Sequence, residues 1–285
     1  RKGIIKLRFV LMYAWGRRWV KIATINKIKD IQLNENFAKK YLLGLKPLDK
    51  ALNGINESTI ITIGARPGMG KSNFMNNILL SLMDNYNVPT LYVNLEMSKE
   101  KSALKLATLS KGEKFSEIQK NENLMKETMS ELTKKNYNLY LSDDCFTVEE
   151  LEQLINENGI KFVIIDYIQL LKSSQKSSSS IDTYNEVLDK IRALANQKKL
   201  IVFLLSQISR NVEHRENSRP LLMDLKNSGN LESNSDIVLF LYRKYYYSSE
   251  NKNNILEIII AKNRYGGMDT VYLDYNPQKE NFINY

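Results

Sequence analysis

The fold is decided by one glycine-rich stretch, Ala65-Arg66-Pro67-Gly68-Met69-Gly70-Lys71-Ser72. An apolar run begins before it at Thr59, and a segment with helical character, 73–85, follows it. A strand, a glycine-rich turn, a Lys-Ser pair and a helix form the context that a phosphate-binding P-loop needs. The start of the helix offers unpaired N–H groups and the positive end of a dipole to an anion. The stretch therefore predicts a nucleoside triphosphate site.

Each residue type in this stretch suits the binding of phosphates. Gly68 and Gly70 let the backbone curl around them because neither carries a Cβ. Lys71 is expected to place its ammonium on the outer phosphates, and Ser72 to give its hydroxyl to Mg²⁺. The simpler alternative is a glycine turn that precedes a lysine by chance. The predicted nucleotide-binding residues are Ala65, Arg66, Pro67, Gly68, Met69, Gly70, Lys71, Ser72 and Asn73.

The composition is that of an ordinary globular protein with one large core: 285 residues, 43% hydrophobic and 26% charged. The single cysteine, Cys145, excludes an internal disulfide framework and a cysteine-rich zinc site. We expect it to be a small buried apolar residue, and the protein to suit a reducing compartment. The single histidine, His214, excludes a histidine-rich metal site and is expected in a loop.

The positive charge is concentrated at the start of the chain. The net charge is +9, and residues 1–30 contribute +8 of it through nine Lys or Arg and one acid. The remaining 255 residues carry 32 basic and 31 acidic groups. Overall basicity is therefore weak evidence for a nucleic-acid partner, and any DNA contact must come from a few local residues or from the N-terminal segment.

Residues 1–35 are interpreted as a basic linker or docking segment, helical in part. The apolar run 9–15 is too short to span a bilayer, and no small-residue cleavage site follows it. Trp15, Trp19 and Ile22 recur at helical spacing, as in a helix that docks on an apolar surface. Contact with a membrane surface is the alternative. The chain does not begin with Met, so we expect it to be part of a longer protein.

Short apolar runs alternate with helical patterns through most of the chain. Because these runs do not alternate with polar residues, they predict strands buried on both faces of a mostly parallel sheet, with helices on both sides. The fold class is therefore α/β. The predicted strands are 59–63, 89–95, 138–141, 162–166, 200–206 and 237–242, with a closing hairpin of 255–262 and 270–275 around a turn at 265–267. The clearest helix is 182–198, with Tyr184, Val187, Leu188, Ile191, Leu194 and Ala195 on one face.

Two polar stretches interrupt this alternation. Residues 172–180 have almost no apolar side chain and are predicted to form a mobile loop. Residues 211–230 are predicted to be an extended surface connection around a short apolar turn at 221–223. Loops that follow the strands of a rigid sheet often carry binding residues.

Two carboxylates follow predicted strands. Asp166 ends one apolar run, and beside a P-loop such an aspartate holds Mg²⁺. Glu96 follows the run 91–95 and can polarise the water that attacks the γ-phosphate. The alternative for Glu96 is a helix cap, shared with Ser98, for a helix that starts at Lys99.

Three further polar residues also have two interpretations. Gln207 ends a strand and can contact the γ-phosphate and report its loss, or it is an ordinary polar strand end. Lys262 and Arg264 precede the hairpin turn and can reach the phosphates of a neighbouring subunit, or they form a solvated charge cluster.

Seven motifs occur in order along the chain: GARPGMGKS (64–72), NLEMS (94–98), VIIDYIQLL (163–171), LSQISRNVE (205–213), RPLLMDL (219–225), DIVLFLYR (236–243) and AKNR (261–264). Together they resemble the C-terminal RecA-like motor domain of the DnaB-type replicative DNA helicases, over roughly residues 43–275. The resemblance implies a RecA-like P-loop core in which Glu96 is the catalytic base and Gln207 the phosphate sensor. It also implies that Arg264, with Lys262 beside it, acts on the ATP of an adjacent subunit, and that Arg243 lies near the nucleotide base.

The resemblance implies an ATP- and Mg²⁺-dependent ring of six subunits that moves 5′ to 3′ along single-stranded DNA. A DNA-facing loop is expected at 224–229 and a second candidate at 172–180, which gives Lys226, Asn227, Gly229, Lys172 and Lys176 as possible DNA contacts. Where the family usually reads Leu-Arg-Glu-Ser-Gly, this chain has Leu-Lys-Asn-Ser-Gly at 225–229. Lysine keeps the charge there but loses the planar fork of arginine.

The implied organisation is a linker, 1–35, and a motor domain, 36–285. A primase or a helicase loader is a further implied partner, membranes are not, and the implied location is the cytoplasm of a bacterium or of a bacterial host of a phage or plasmid. Two alternative functions remain open, although the Leu-Ser-Gln-Ile and Lys-Asn-Arg segments favour the helicase. One is a RecA-like recombination or repair ATPase that forms filaments on DNA, and the other is an accessory protein that uses nucleotide only as a switch.

Overall fold

The computed structural model describes residues 40–174, 179–225, 228–246 and 254–284. The predicted linker, 1–35, lies outside the described residues. So do three of the predicted DNA contacts, Lys176, Lys226 and Asn227. From Lys39 onward the chain forms one compact unit.

A nine-stranded sheet forms the centre of this unit. The strands are β1 (Ile60–Ala65), β2 (Thr90–Asn94), β3 (Leu139–Ser142), β4 (Phe162–Asp166), β5 (Ile201–Gln207), β6 (Ile237–Tyr242), β7 (Ile255–Asn263), β8 (Thr270–Asn276) and β9 (Asn281–Asn284). Their order is β3-β2-β4-β5-β1-β6-β7-β8-β9. The six strands from β3 to β6 are parallel, and β7, β8 and β9 are added antiparallel. The strand β1 is thus central, paired with β5 on one side and β6 on the other.

Helices cover both faces of the sheet. They are α1 (Lys46–Leu52), α2 (Lys71–Tyr86), α3 (Lys99–Lys111), α4 (Phe115–Ile118), α5 (Glu122–Lys134), α6 (Val148–Asn158), α7 (Ser180–Lys198) and α8 (Ser228–Asn234). Short 3₁₀ helices lie at Ile168–Leu170, Arg210–His214, Leu222–Asp224 and Lys244–Tyr246. One apolar core lies between the sheet and α1, α2 and α3, and a second lies between the opposite face and α6 and α7. Among the described helices, none is both long and apolar enough to cross a bilayer.

The α/β prediction is confirmed, and so are the closing hairpin and the predicted buried face of α7. One part of the strand prediction is wrong, because β3 is not buried on both faces. It is the edge strand beside β2, and Tyr140 on it is 38% exposed. Several elements were not predicted individually from the sequence, among them α5 and β9. The sequence of α5 is mostly polar, and Thr128 is its one buried residue.

The described parts of the two polar stretches, 172–174 and 211–225, are more structured than predicted. Lys172 pairs with Thr147 in a β-bridge, and the Ser174 N–H donates to the Glu149 carboxylate at 3.0 Å. The second stretch contains two 3₁₀ helices, and its Asp224 is 2% exposed and bonded to Arg215. The Asp224 side chain is therefore used to fold the segment, while the DNA-facing loop at 224–229 stays a prediction.

Cys145 is buried as expected, whereas His214 lies in a short 3₁₀ helix rather than in a loop. Cys145 is 2% exposed, and burial raises the pKa of its thiol to about 12, which keeps it protonated and unreactive at neutral pH. His214 is exposed at the end of the 3₁₀ helix that follows β5.

Candidate nucleotide-binding site

The carboxyl ends of the parallel strands meet at one edge of the sheet. The P-loop follows β1, Glu96 follows β2, and Asp166 and Gln207 end β4 and β5. The register brings these ends level, since Ala65 pairs with Gln207 and Asn94 pairs with Asp166. This edge is where ligands bind in open α/β sheets.

The P-loop adopts the backbone shape that its glycines permit. Gly68 and Gly70 have φ angles of +81° and +93°, a backbone conformation that residues with a Cβ rarely adopt. Gly70 is also the N-cap of α2, and its carbonyl accepts the Phe74 N–H at 2.8 Å. The unpaired N–H groups at the start of α2 therefore face the turn, as phosphate binding requires.

Lys71 and Ser72 converge on the carboxylate of Asp166. The Lys71 ammonium lies 3.0 Å from Oδ1, and the Ser72 hydroxyl donates to Oδ2 at 2.6 Å. Asp166 is fully buried, and the Tyr92 hydroxyl donates to its Oδ2 at 3.5 Å. Burial, and then the charge of Asp166, raises the pKa of Tyr92 well above its usual value, so Tyr92 stays a neutral donor. The sequence-predicted trio of Lys71, Ser72 and Asp166 is therefore assembled.

A cavity of about 290 Å³ opens beside this trio. Its lining residues are Ala65, Arg66, Pro67, Gly68, Gly70, Lys71, Ser72, Asn73, Glu96, Met97, Lys105, Gln207 and Tyr275. Glu96 and Gln207 are thus brought to the wall of the same cavity as the P-loop. Within the described part of the chain, neither the Glu96 carboxylate nor the Gln207 amide has a hydrogen-bond partner. Both polar groups are available to a ligand in this cavity.

The helix-cap alternative for Glu96 is settled by the contacts of its neighbours. Ser98 is the N-cap of α3, and its hydroxyl accepts the Lys101 N–H at 3.3 Å. The Asn94 side chain accepts the N–H groups of Glu96 and Met97 at 3.1 and 3.0 Å. The cap belongs to Ser98, and Asn94 fixes the turn that presents Glu96.

Three pocket residues were not predicted from the sequence. Met97 and Lys105 come from the turn and helix after Glu96, and Tyr275 comes from β8. The Tyr275 hydroxyl accepts a hydrogen bond from Asn73 at 3.1 Å. Only the spacing of Lys105, nine residues beyond Glu96 on a helix that begins at the pocket, could have indicated one of them.

Arg243, predicted to lie near the nucleotide base, is at the rim of the P-loop. Its guanidinium donates to Gly68 O at 3.2 Å and lies 4.5 Å from the centre of the Tyr275 ring. Arg243 is 6% exposed, and this burial lowers the pKa of its guanidinium. The side chain therefore braces the P-loop backbone against β8.

Lys262 and Arg264 do not reach this cavity. Both lie at the end of β7, beside the start of β6, at the edge of the sheet where the parallel strands begin (the amino edge). There Arg264 lies 3.1 Å from the Asp236 carboxylate, and Asp236 also binds the Ile60 N–H at the start of β1. From Ile60 to the P-loop the chain crosses the whole of β1, about 17 Å at 3.3 Å per residue. Arg264 and the P-loop of one chain are therefore at opposite edges of the sheet.

The two described candidates for DNA contact also lie away from the cavity. Lys172 is exposed beside the start of α6, where its carbonyl accepts the Val148 N–H at 2.9 Å. Gly229 is exposed in the first turn of α8. Neither position lines the nucleotide cavity, so a role for them requires a second ligand.

The shape of the P-loop gives a testable prediction. We expect Gly68→Ala to weaken nucleotide binding about 5- to 30-fold, since a left-handed backbone costs alanine about 1–2 kcal/mol. A Cβ at Gly68 would also lie 2.8 Å from the Tyr246 hydroxyl. Titration with a fluorescent ATP analogue measures the change. Gly159→Ala is the matched control. Gly159 lies at the end of α6 and also has a positive φ, of +60°, but no atom lies within 4 Å of a Cβ added there. Unchanged affinity in Gly68→Ala would contradict the prediction.

The model of the DnaB-like helicase C-terminal domain family matches residues 42–284. The chain belongs to this family. The resemblance inferred from the seven motifs is confirmed. The DnaB-like match covers every strand of the sheet and the whole nucleotide cavity.

Individual members of the DnaB-like family show how much of their length this chain represents. The chain is 34% identical over 276 residues to the "Probable replicative DNA helicase" of Trieres chinensis, covering 90% of this chain and 60% of that protein. It is 32% identical over 253 residues to "Replicative DNA helicase DnaB" of Geobacillus stearothermophilus, covering 85% of this chain and 56% of that protein. The chain thus spans about three fifths of the length of these relatives.

Solved structures of such proteins have the same fold. One of them, described as an "ATPase Domain", superimposes with a TM-score of 0.79 and 30% identity, covering 91% of this chain and 95% of that one. Another, "The Structure Of A DnaB-Like Replicative Helicase And Its Interactions With Primase", gives a TM-score of 0.80 and 28% identity, covering 92% and 70%. The fold is the RecA-like α/β core of this family.

Proposed function

We propose that this chain is the motor domain of an ATP-dependent replicative DNA helicase, which works as a ring of six copies on single-stranded DNA. Residues 36–285 form the motor in this proposal, and residues 1–35 form a basic linker. The observation that carries it is the separation of Arg264 from the P-loop of its own chain by the length of β1. A cavity with a carboxylate and an amide on its wall, and a cation held at the far edge, suits a site shared by two copies.

Within one chain, the P-loop and Lys71 bind the phosphates of ATP, and Glu96 orients the attacking water. Ser72 and Asp166 place a hydroxyl and a carboxylate oxygen next to each other, and such hard oxygen donors suit Mg²⁺. When bound, Mg²⁺ would neutralise charge that develops on the phosphates.

The two residues after Gln207, the proposed phosphate sensor, contact the start of the proposed DNA-facing segment. Ile208, the residue after Gln207, forms a β-bridge with Leu225, and the Ser209 N–H donates to Asp224 O at 2.7 Å. Leu225 immediately precedes Lys226 and Asn227, which we propose as DNA contacts together with Gly229, Lys172 and Lys176. A shift of Gln207 on loss of the γ-phosphate would therefore move the start of the DNA-facing segment.

Unwinding of a forked DNA tests this function. We expect the purified chain to displace the strand from a fork with a 5′ single-stranded tail, only when ATP and Mg²⁺ are present, and to leave a fork with a 3′ tail alone intact. Electron microscopy of the same sample should show closed rings. Filaments on DNA without strand displacement would instead support the recombinase function. Nucleotide binding with no ATP hydrolysis would support the accessory switch.

A further inference from the structure

A buried carboxylate connects three elements at the amino edge of the sheet. Asp236 precedes β6 and is 3% exposed. Its Oδ1 accepts a hydrogen bond from Arg264 at 3.1 Å. Its Oδ2 accepts hydrogen bonds from Arg192 of α7 at 2.9 Å and from the Ile60 N–H at 2.8 Å. Both oxygens are thus occupied, and the carboxylate is fixed from three directions.

The end of α8 supplies further acceptors to the same cations. Ser233 O accepts a hydrogen bond from the Arg264 guanidinium at 2.8 Å, and Glu232 O accepts one from the Lys262 ammonium at 2.6 Å. Carbonyls at the C-terminal end of a helix carry partial negative charge and attract cations. The Arg264 N–H also donates to Asp236 O at 3.0 Å. The backbone and the side chain of Arg264 are therefore both held.

The arrangement leaves positive charge facing outward. The three cations of the cluster, Arg192, Lys262 and Arg264, lie near two carboxylates, those of Asp236 and Glu232, so one positive charge is left over. The Arg264 side chain is 48% exposed, whereas that of Asp236 is 4% exposed. A guanidinium has five N–H donors, and Arg264 uses two of its nitrogens inward, which leaves donors on its outer side for an anion.

We propose that Asp236 is a positioning residue, which fixes the guanidinium of Arg264 in its own chain so that it meets the phosphates bound by the next copy. The inference rests on the proposed function, in which Arg264 acts across an interface. A displacement of about 1 Å in a catalytic group can reduce a rate about a hundredfold, so an arginine on a long flexible stem needs such a support.

Asp236→Asn tests the proposal with little change in side-chain size. An amide has a single acceptor oxygen. It therefore cannot accept hydrogen bonds from Arg264 on one side and from Arg192 and the Ile60 N–H on the other, as the two carboxylate oxygens of Asp236 do. We expect Asp236→Asn to bind nucleotide with unchanged affinity but to hydrolyse ATP about 10- to 100-fold more slowly. Asp84→Asn is the matched control, since Asp84 bonds to Lys135 and Tyr137 outside this cluster. It should hydrolyse ATP at the wild-type rate.

Mixing of variant chains separates a positioning role from a structural one. In rings that contain Asp236→Asn and Glu96→Gln chains, the intact pocket of the first chain receives Arg264 from the second, so hydrolysis should return. A mixture of Asp236→Asn with Arg264→Ala should hydrolyse ATP no faster than Asp236→Asn alone, because no chain supplies a positioned guanidinium. Wild-type hydrolysis by Asp236→Asn alone would overturn the proposal. The proposal would also be overturned if mixing with Glu96→Gln chains did not restore ATP hydrolysis. That result would mean that Asp236→Asn damages the nucleotide pocket of its own chain, at the end of β1.

The result remains decisive if Asp236→Asn does not fold. Asp236→Ser keeps a hydroxyl acceptor for the Ile60 N–H, and the same two mixtures are then made with it. The mixture of Arg264→Ala with Glu96→Gln is run in parallel. If that mixture does not hydrolyse ATP, the proposal that two copies share one active site is wrong. If it is active while the Asp236 variants are not restored, only the positioning role is wrong.

Discussion

Lys71→Ala removes ATP hydrolysis, with an expected loss of at least about a hundredfold. The Lys71 ammonium is the one lysine side chain on the P-loop itself, and it lies 3.0 Å from the Asp166 carboxylate inside the assembled site. Its side chain is 10% exposed, so water replaces it poorly as a source of positive charge near the phosphates. Without it, the charge that develops on the transferred phosphate loses its nearest cation from the same chain.

Phosphate release under saturating ATP is the measurement for this variant. Lys126→Ala is a suitable control, since Lys126 is 72% exposed and pairs with Glu122 on the surface of α5. It should hydrolyse ATP at the wild-type rate. Turnover by Lys71→Ala within about tenfold of wild type would mean that the phosphates bind elsewhere.

Arg264→Ala is expected to bind ATP normally and to lose hydrolysis by about a thousandfold or more, which is the usual contribution of an arginine supplied across an interface. Binding should persist because Arg264 lies at the opposite edge of the sheet from the P-loop of its own chain. Glu96→Gln should also bind ATP and fail to hydrolyse it. In an equal mixture, an intact pocket meets an intact arginine at about one interface in four, since head-to-tail interfaces pair neighbours at random.

Hydrolysis in that mixture should therefore recover to roughly a quarter of the wild-type rate, if the interfaces work independently. A mixture of Arg264→Ala with the double variant Glu96→Gln, Arg264→Ala is the control, and it should show no recovery. Recovery in neither mixture would indicate that Arg264 serves its own chain or none.

The sequence predicted the pocket well because its residues follow parallel strands. Strands of this kind end at one edge of a sheet, so Lys71, Glu96, Asp166 and Gln207 could be placed together without knowledge of side-chain packing. The buried runs of β1, β4 and β5 carry no charged residue before their last position, so the strand assignment was unambiguous. The ends of the predicted strands therefore indicated these residues, while the choice of Glu96 and Gln207 over their alternatives came from the family resemblance.

The remaining contacts depend on packing that no local pattern encodes. Tyr275 reaches the cavity only because β8 is added antiparallel beside β7. Asp236 precedes an ordinary apolar strand, and nothing in its neighbourhood indicates that it meets Arg264 nearly thirty residues later. The polar stretch 211–230 was predicted as an extended connection. Its described part is stabilised by an ion pair between the buried Asp224 and the partly exposed Arg215, and such a contact leaves no apolar pattern in the sequence.

The central strand β1 has one further consequence. It is hydrogen-bonded on both sides, and its six residues are all buried, so it can neither stretch nor tilt by itself. One end carries the P-loop, and the other end is bonded to the carboxylate of Asp236, which also holds Arg264, the residue that we propose acts on another copy. A displacement of either end of β1 is therefore transmitted along the strand to its other end. In the ring that we propose, hydrolysis at one interface would therefore reach the next interface through β1, as a tilt of the sheet that carries both ends of this strand.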